Sequence, residues 1–160
     1  MNKFCSTFIL MPFLLVTFAI SDPIDTANDF LYAVEYQDGY AIEDLFAQDL
    51  YNTFVSFFDQ MRALADADPV LAESLIRQKY GNRVELSDLT ELSNEEILSL
   101  LLGEIHLQST TQIEQESAQM EGRTATVVLT YFDKSSVSFL MAWEAGRWKI
   151  TNTSLLTMFF

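Results

Sequence analysis

The spacing of apolar residues changes character twice along this chain. Phe4 to Ile20 is an unbroken uncharged run. From residue 22 to about Gly103 apolar residues recur at three- and four-residue intervals, and from about Gln112 they alternate with polar ones, the signatures of amphipathic helix and half-buried strand. Asp25-Thr26 can cap a first helix whose Ala27, Phe30, Leu31 and Val34 share one face. Asp38-Gly39 ends it, glycine supplying a left-handed turn. A second helix begins at Ala41-Ile42 with Leu45 and Phe46 on one side. It leads, with or without a break near Asp49, into the strongest amphipathic run: Phe54, Phe57, Phe58, Met61, Leu64 and Ala65. Asp68-Pro69 restarts a helix, with aspartate as cap and proline at the first helical position, and Gly81 closes it. Ser93 to Glu96 reads as a capping box that introduces Ile97 to Leu102.

The last third reads as an antiparallel meander. Gln112 to Glu121 is a polar strand ended by Gly122, and Arg123 to Phe132 alternates Ala125, Val127, Leu129 and Tyr131 against threonines and Val128. Asp133 to Ser136 is a turn of hairpin length. Val137, Phe139, Met141 and Trp143 share a face of the next strand, and Glu144 to Arg147 turns it back. Trp148 and Ile150 then point one way, Lys149 and Thr151 the other. Helices gathered on one side of an antiparallel sheet define an α+β domain. With no internal repeat, low-complexity tract or linker after Pro23, residues 22–160 are expected to form one such domain.

The opening run is an address. Lys3 gives a positive start, Phe4 to Ile20 forms the apolar stretch, and small residues at Ala19 and Ser21 suit a signal peptidase. A retained anchor is the competing reading, but this stretch is interrupted by Pro12 and lies at the short limit for a hydrocarbon core roughly 30 Å thick. Residues 1–21 are therefore expected to be a signal peptide cleaved near Ser21, leaving an exported chain, periplasmic or secreted, with no stable membrane insertion. Cys5, the single cysteine, leaves with it, and an exported domain without disulfides must rely on its core.

Composition narrows the function classes. A 49% apolar content excludes bulk disorder. Twenty-three acids against nine bases give a net charge of −14, the wrong sign for neutralising nucleic-acid phosphates. One cysteine and one histidine exclude a disulfide framework, a Cys/His zinc site and a haem-attachment motif.

Four pieces of the chain, taken in order, carry a resemblance. They are the opening helix Thr26 to Glu35, the turn Asp38-Gly39-Tyr40, the helix start Ala41-Ile42-Glu43-Asp44-Leu45-Phe46, and the closing hairpin Trp143-Glu144-Ala145-Gly146-Arg147-Trp148-Lys149-Ile150. This layout resembles the nuclear-transport-factor-2-like superfamily, the cystatin-like or ketosteroid-isomerase-like cone, particularly its small exported members of unknown function. The resemblance implies helices packed on a curved antiparallel β-meander, a cone-shaped roll that encloses a cavity. Phe54, Phe58, Tyr131, Phe139, Met141, Trp143 and Trp148 are then candidate pocket lining; the alternative is that they fill the interior as ordinary core. Enzymes of the superfamily set a carboxylate base inside the cone opposite a hydrogen-bond donor, and they interpose strands among their helices, whereas here helices precede all the long strands.

Candidate chemistry is sparse. Glu114 and Glu116 fall on one side of a polar strand and read as solvated. Tyr32, Tyr36, Tyr40 and Tyr51 crowd the acid-rich first helices, where a Tyr–Asp pair is one arrangement open to them. His106 follows the last helix with no partner motif. No G-x-S-x-G, P-loop or dinucleotide fingerprint occurs, and Asp66-Ala67-Asp68 lacks the rest of a calcium loop. No catalytic residue, metal site or cofactor is therefore assigned. Nine acids and no base lie between Asp22 and Met61, predicting a negative surface that keeps the chain soluble or docks a basic protein. The apolar tail Leu155 to Phe160 either packs inside or joins an interface, with a homodimer through the outer sheet face as the alternative. The leading expectation is an exported non-catalytic domain that binds a small apolar ligand or a protein partner. The alternatives are an enzyme of the isomerase or polyketide-cyclase kind with a buried carboxylate base, and a structural or inhibitory envelope protein with a filled cone.

Overall fold

A computed structural model describes residues 22–82, 84–103, 105 and 109–158. The expected leader with its cleavage site, His106, and the last two residues of the tail lie outside the described residues. The chain is α+β: among the described residues six helices precede an open four-stranded antiparallel sheet. The helices are α1 (Pro23–Glu35), α2 (Gly39–Leu45), α3 (Gln48–Ala67), α4 (Pro69–Tyr80), α5 (Leu86–Glu91) and α6 (Asn94–Leu102). The sheet runs β1 (Ile113–Glu121), β2 (Thr124–Tyr131), β3 (Ser136–Glu144), β4 (Arg147–Thr153) in sequence order, between two short 3₁₀ turns, Thr110–Gln112 and Ser154–Met158. Among the described residues no helix is long and apolar enough to cross a membrane.

Local chemistry sets most helix ends. Asp22, rather than Asp25-Thr26, caps α1: its carboxylate accepts from the Ile24 amide at 2.9 Å, and Pro23 occupies the first turn. Asp38 caps α2 through the Ala41 amide at 3.0 Å, Asp68 caps α4 through Leu71 at 3.0 Å, and the capping box at Ser93 and Glu96 opens α6. The break before α3 comes at Phe46-Ala47, ahead of Asp49. There the Ala47 amide donates to the Ile150 carbonyl at 2.8 Å, and Phe46 bridges Ile150 in parallel, so the chain is stitched to the β4 edge where it leaves α2. Helix α5 has no counterpart in the sequence reading. Its first turn is closed by Asp88, which accepts from the Glu85 amide at 2.8 Å. Arg62 from α3 serves its last turn, donating to the carbonyls of Leu89 at 2.7 Å and Leu92 at 3.1 Å.

One close approach fixes the helical layer. The Gly39 amide donates to Ser99 Oγ at 2.9 Å, and a Cβ at Gly39 would lie 1.9 Å from the Glu95 carbonyl oxygen. Helices α2 and α6 thus meet at backbone distance, which only glycine permits.

The inner sheet face is apolar. Val127, Leu129 and Tyr131 of β2, Val137, Phe139 and Met141 of β3, and Trp148 and Ile150 of β4 are all buried. Ring contacts run from Phe139 to Phe30 at 5.6 Å, to Phe46 at 5.9 Å, to Phe54 at 5.6 Å and to Phe58 at 6.5 Å. This ladder ties the sheet to α1, the end of α2 and α3. Two register shifts break the regular pleat, one at Glu114 against β2 and one at Thr151 against β3. Such bulges bend a sheet, and the second returns Thr153 to the buried side. The tail begins as the second 3₁₀ turn, with Leu156 buried.

Candidate functional site

Helix α2 stands between two clefts and Asp44 belongs to both. The first, about 400 Å³, is the groove between α1 and α2. Asp29, Tyr32, Ala33 and Tyr36 line it from α1; Asp38, Ala41, Asp44 and Leu45 line it from α2. Its origin is helix periodicity. Ala27, Phe30, Leu31 and Val34 occupy the buried stripe of α1, so positions 29, 32, 33 and 36, spaced i, i+3, i+4, i+7, form an adjacent stripe along the groove. Alanines make its floor and tyrosines its rim. Tyr32 and Tyr36 are 48% and 76% exposed, and Tyr40, at the head of α2, is 60% exposed.

The second cleft, about 440 Å³, lies between α2, the start of α3 and the β3–β4 hairpin, lined by Glu43, Asp44, Phe46, Gln48, Tyr51, Glu144, Ala145, Arg147 and Lys149. The hairpin places its cations by alternation: Arg147 and Lys149 leave β4 on the side opposite Trp148 and Ile150. Arg147 grips the Asp44 carboxylate with both terminal nitrogens. Lys149 donates to the Asp44 main-chain oxygen and lies 3.8 Å from its Oδ1. The hydrogen bond from Arg147 holds the Asp44 carboxyl below its ordinary pKa. Burial, with Arg147 close by, pushes the Lys149 ammonium down despite the pull of Asp44 and Glu144.

On the far wall the Tyr51 hydroxyl donates to the Glu95 carboxylate. Burial first, and that carboxylate second, push Tyr51 well above the usual phenol range, while the same hydrogen bond draws Glu95 down. The tyrosine–acid pairing open to the first helices is therefore realised, but with a glutamate from α6.

The seven residues expected as pocket lining sit on neither cleft. Phe54, Phe58, Tyr131, Phe139, Met141 and Trp148 are buried in the core. Trp143 is partly buried and meets Trp148 edge to face at 5.3 Å. Two of the seven carry polar atoms that are buried without a partner among the described residues, the Tyr131 hydroxyl and the Trp148 indole nitrogen. Glu114 and Glu116 are both exposed, as expected, but they do not share one side of the strand. The bulge breaks the alternation between them, so Glu114 reaches Lys134 while Glu116 accepts from Asn28 Nδ2 at 3.0 Å. Among the described residues no group of histidine, cysteine, aspartate and glutamate side chains is placed to hold a metal ion. Asp44, Glu95, Arg147 and Lys149 were not singled out as site residues from the sequence. The two cations at alternate positions of the last strand were the available signal. Their meeting with α2, more than a hundred residues earlier, left none.

Comparison with protein-family models, curated proteins and solved structures gives no match to this chain.

Proposed function

We propose that this chain is an exported, non-catalytic binding domain of the cone kind, whose groove between α1 and α2 docks a basic segment of a protein partner. The observation that carries this reading is the division of the aromatic residues. Phe30, Phe46, Phe54, Phe58 and Phe139 are buried in the core, whereas Tyr32 and Tyr36 stand exposed along the groove that also bears Asp29 and Asp38, and Tyr40 is exposed at the head of α2. Exposed tyrosine rings beside carboxylates attract lysine and arginine both through the ring face and through charge. Arg147 and Lys149 occupy Asp44, which leaves Asp29 and Asp38 as the other acids lining the groove. An acid–base enzyme has less support. The Asp44 and Glu95 carboxyls both move toward the ionised form, away from the raised pKa a proton-transferring carboxyl has near neutrality.

Titration of the purified protein with a lysine- and arginine-rich peptide tests this. Affinity should fall steeply as salt rises, and Tyr32→Ala or Tyr36→Ala should each weaken it about tenfold. Affinity indifferent to salt and to both tyrosines would reject the groove.

The Tyr131 hydroxyl and Trp148 indole favour a second reading, a small apolar guest on the inner sheet face that accepts a hydrogen bond. Trp148→Phe would then weaken binding of an apolar ketone probe while leaving the peptide titration unchanged.

A further inference from the structure

The two edges of the sheet are finished differently. At β4 the chain itself covers the edge, through the Phe46 bridge and the Ala47 to Ile150 hydrogen bond. At β1 no described residue pairs with the outer edge. Beyond Ile113 the strand is exposed on both faces, including Ala118 and Met120, which pair with the buried Val127 and Ala125 and so point to the core side. The helical layer ends short of them.

This edge is regular. From Gln115 to Glu121 it pairs with β2 residue for residue, without a bulge. It carries neither lysine nor proline, residues that commonly blunt an edge. Glu116, its one core-side charge, is turned onto α1 by Asn28. Glu121 and Thr124 flank the two-residue turn to β2. In such a hairpin the flanking pair is hydrogen-bonded across the strands, and bonded positions alternate. Ser117 and Gln119 therefore bond to β2, while the amides and carbonyls of Glu116, Ala118 and Met120 point outward.

We infer that β1 pairs antiparallel with β1 of a second copy of this chain about a two-fold axis at Ala118, extending the sheet across a dimer. That register sets Ala118 opposite Ala118, Glu116 opposite Met120, Ser117 opposite Gln119 and Gln115 opposite Glu121. It uses the whole bulge-free stretch, matches every outward amide to an outward carbonyl, and puts no glutamate opposite a glutamate. A shift of the axis by one residue to Ser117 would set Met120 opposite Glu114, in the bulge, and a shift to Gln119 would set Glu116 opposite Gly122, in the turn, so either leaves an outward amide without a regular partner. The occupant is a second copy because the strand complements itself in this way. Each chain carries −14, so the dimer should tighten as salt screens the repulsion, the opposite of docking at the groove.

Sedimentation equilibrium of the purified protein at low and high salt tests this. A monomer–dimer equilibrium strengthened by salt is expected. Ala118→Pro removes the central outward amide without touching the ladder to β2, and should abolish the dimer. Met120→Glu sets two glutamates opposite each other twice per dimer and should raise the dissociation constant about tenfold; it decides the matter if the proline variant fails to fold. A monomer under all conditions, or a dimer indifferent to Met120→Glu, would overturn the inference. So would slow amide exchange at Glu116, Ala118 and Met120 in the monomer, since another part of the chain would then cover the edge. Failure of this dimer leaves the groove reading untouched.

Discussion

The Lys149 ammonium reaches past the β4 edge and donates to the main-chain oxygen of Asp44, 105 residues earlier in sequence. That carbonyl belongs to the last turn of α2, where helix oxygens lack intrahelical partners and a cation is favoured. Arg147 takes the carboxylate of the same residue. A seven-residue helix is thereby held at its C-terminal end by the closing hairpin and at its N-terminal end by Ser99.

The two cations should contribute unequally. The Arg147–Asp44 pair is open to solvent, with side chains 47% and 61% exposed, and such pairs are worth at most about 1 kcal/mol. Lys149 is buried. Lys149→Met should lower stability by about 1–2 kcal/mol because it leaves a partly buried carbonyl unpaired. Arg147→Met should cost less than about 0.5 kcal/mol. Urea unfolding of both variants checks the order.

Gly39→Ala should be the most damaging small substitution in the helical layer. The new methyl would meet main chain, the Glu95 carbonyl at 1.9 Å, which cannot swing aside. A loss of about 3 kcal/mol or more is expected, at the upper end for overpacking. A melting temperature within a degree or two of wild type would show that α2 and α6 are not in backbone contact.

Ala145→Gly should stabilise the protein. Ala145 has φ 49° and Gly146 φ 86° in the two-residue β3–β4 turn, a pairing of two left-handed residues that suits the twist of a hairpin. Alanine adopts the first of these at a cost of about 1 kcal/mol. Glycine removes that strain but loosens the unfolded chain, so a net gain of about 0.5 kcal/mol is expected from thermal unfolding.

Alkaline conditions should weaken the fold through its buried phenols. Burial raises Tyr80 from 10 to about 12, and Tyr51 and Tyr131 move the same way. A folded-state pKa raised above the unfolded value gives stability that is whole below pH 10 and lost as pH climbs through 12. For Tyr80 alone this amounts to on the order of 2–3 kcal/mol. Lys79 and Lys149, lowered by burial, act in the opposite sense and add stability as pH approaches 10.5. Stability should therefore rise gently to about pH 10 and then fall. Tyr80→Phe should flatten the fall, and an unchanged slope would count against burial of that hydroxyl.

The parts of the fold legible in sequence are those governed by neighbours in the chain. Ser93 with Glu96, Asp68 with Pro69, and the alternation from Ala125 to Tyr131 each carry their own geometry. The parts that were not legible depend on distant partners. Helix α5 is short, and Arg62 from α3 serves its last carbonyls. The break at Phe46-Ala47 exists because β4 offers a carbonyl there. The groove was half visible, since two of the four tyrosines among the early acids, Tyr32 and Tyr36, line it. The pairing of Tyr51 with Glu95, and of Asp44 with the hairpin, was not, since periodicity gives the face of a helix but not what lies against it.

The binding proposed for this chain takes place outside the core, in the groove between α1 and α2. Backbone NMR shifts during titration with a lysine- and arginine-rich peptide test it most directly. Changes concentrated at Asp29, Tyr32, Ala33, Tyr36, Ala41 and Leu45, fading as salt is added, are expected. Changes centred instead on Phe139, Met141 and Trp148, or on the β3–β4 hairpin, would contradict it.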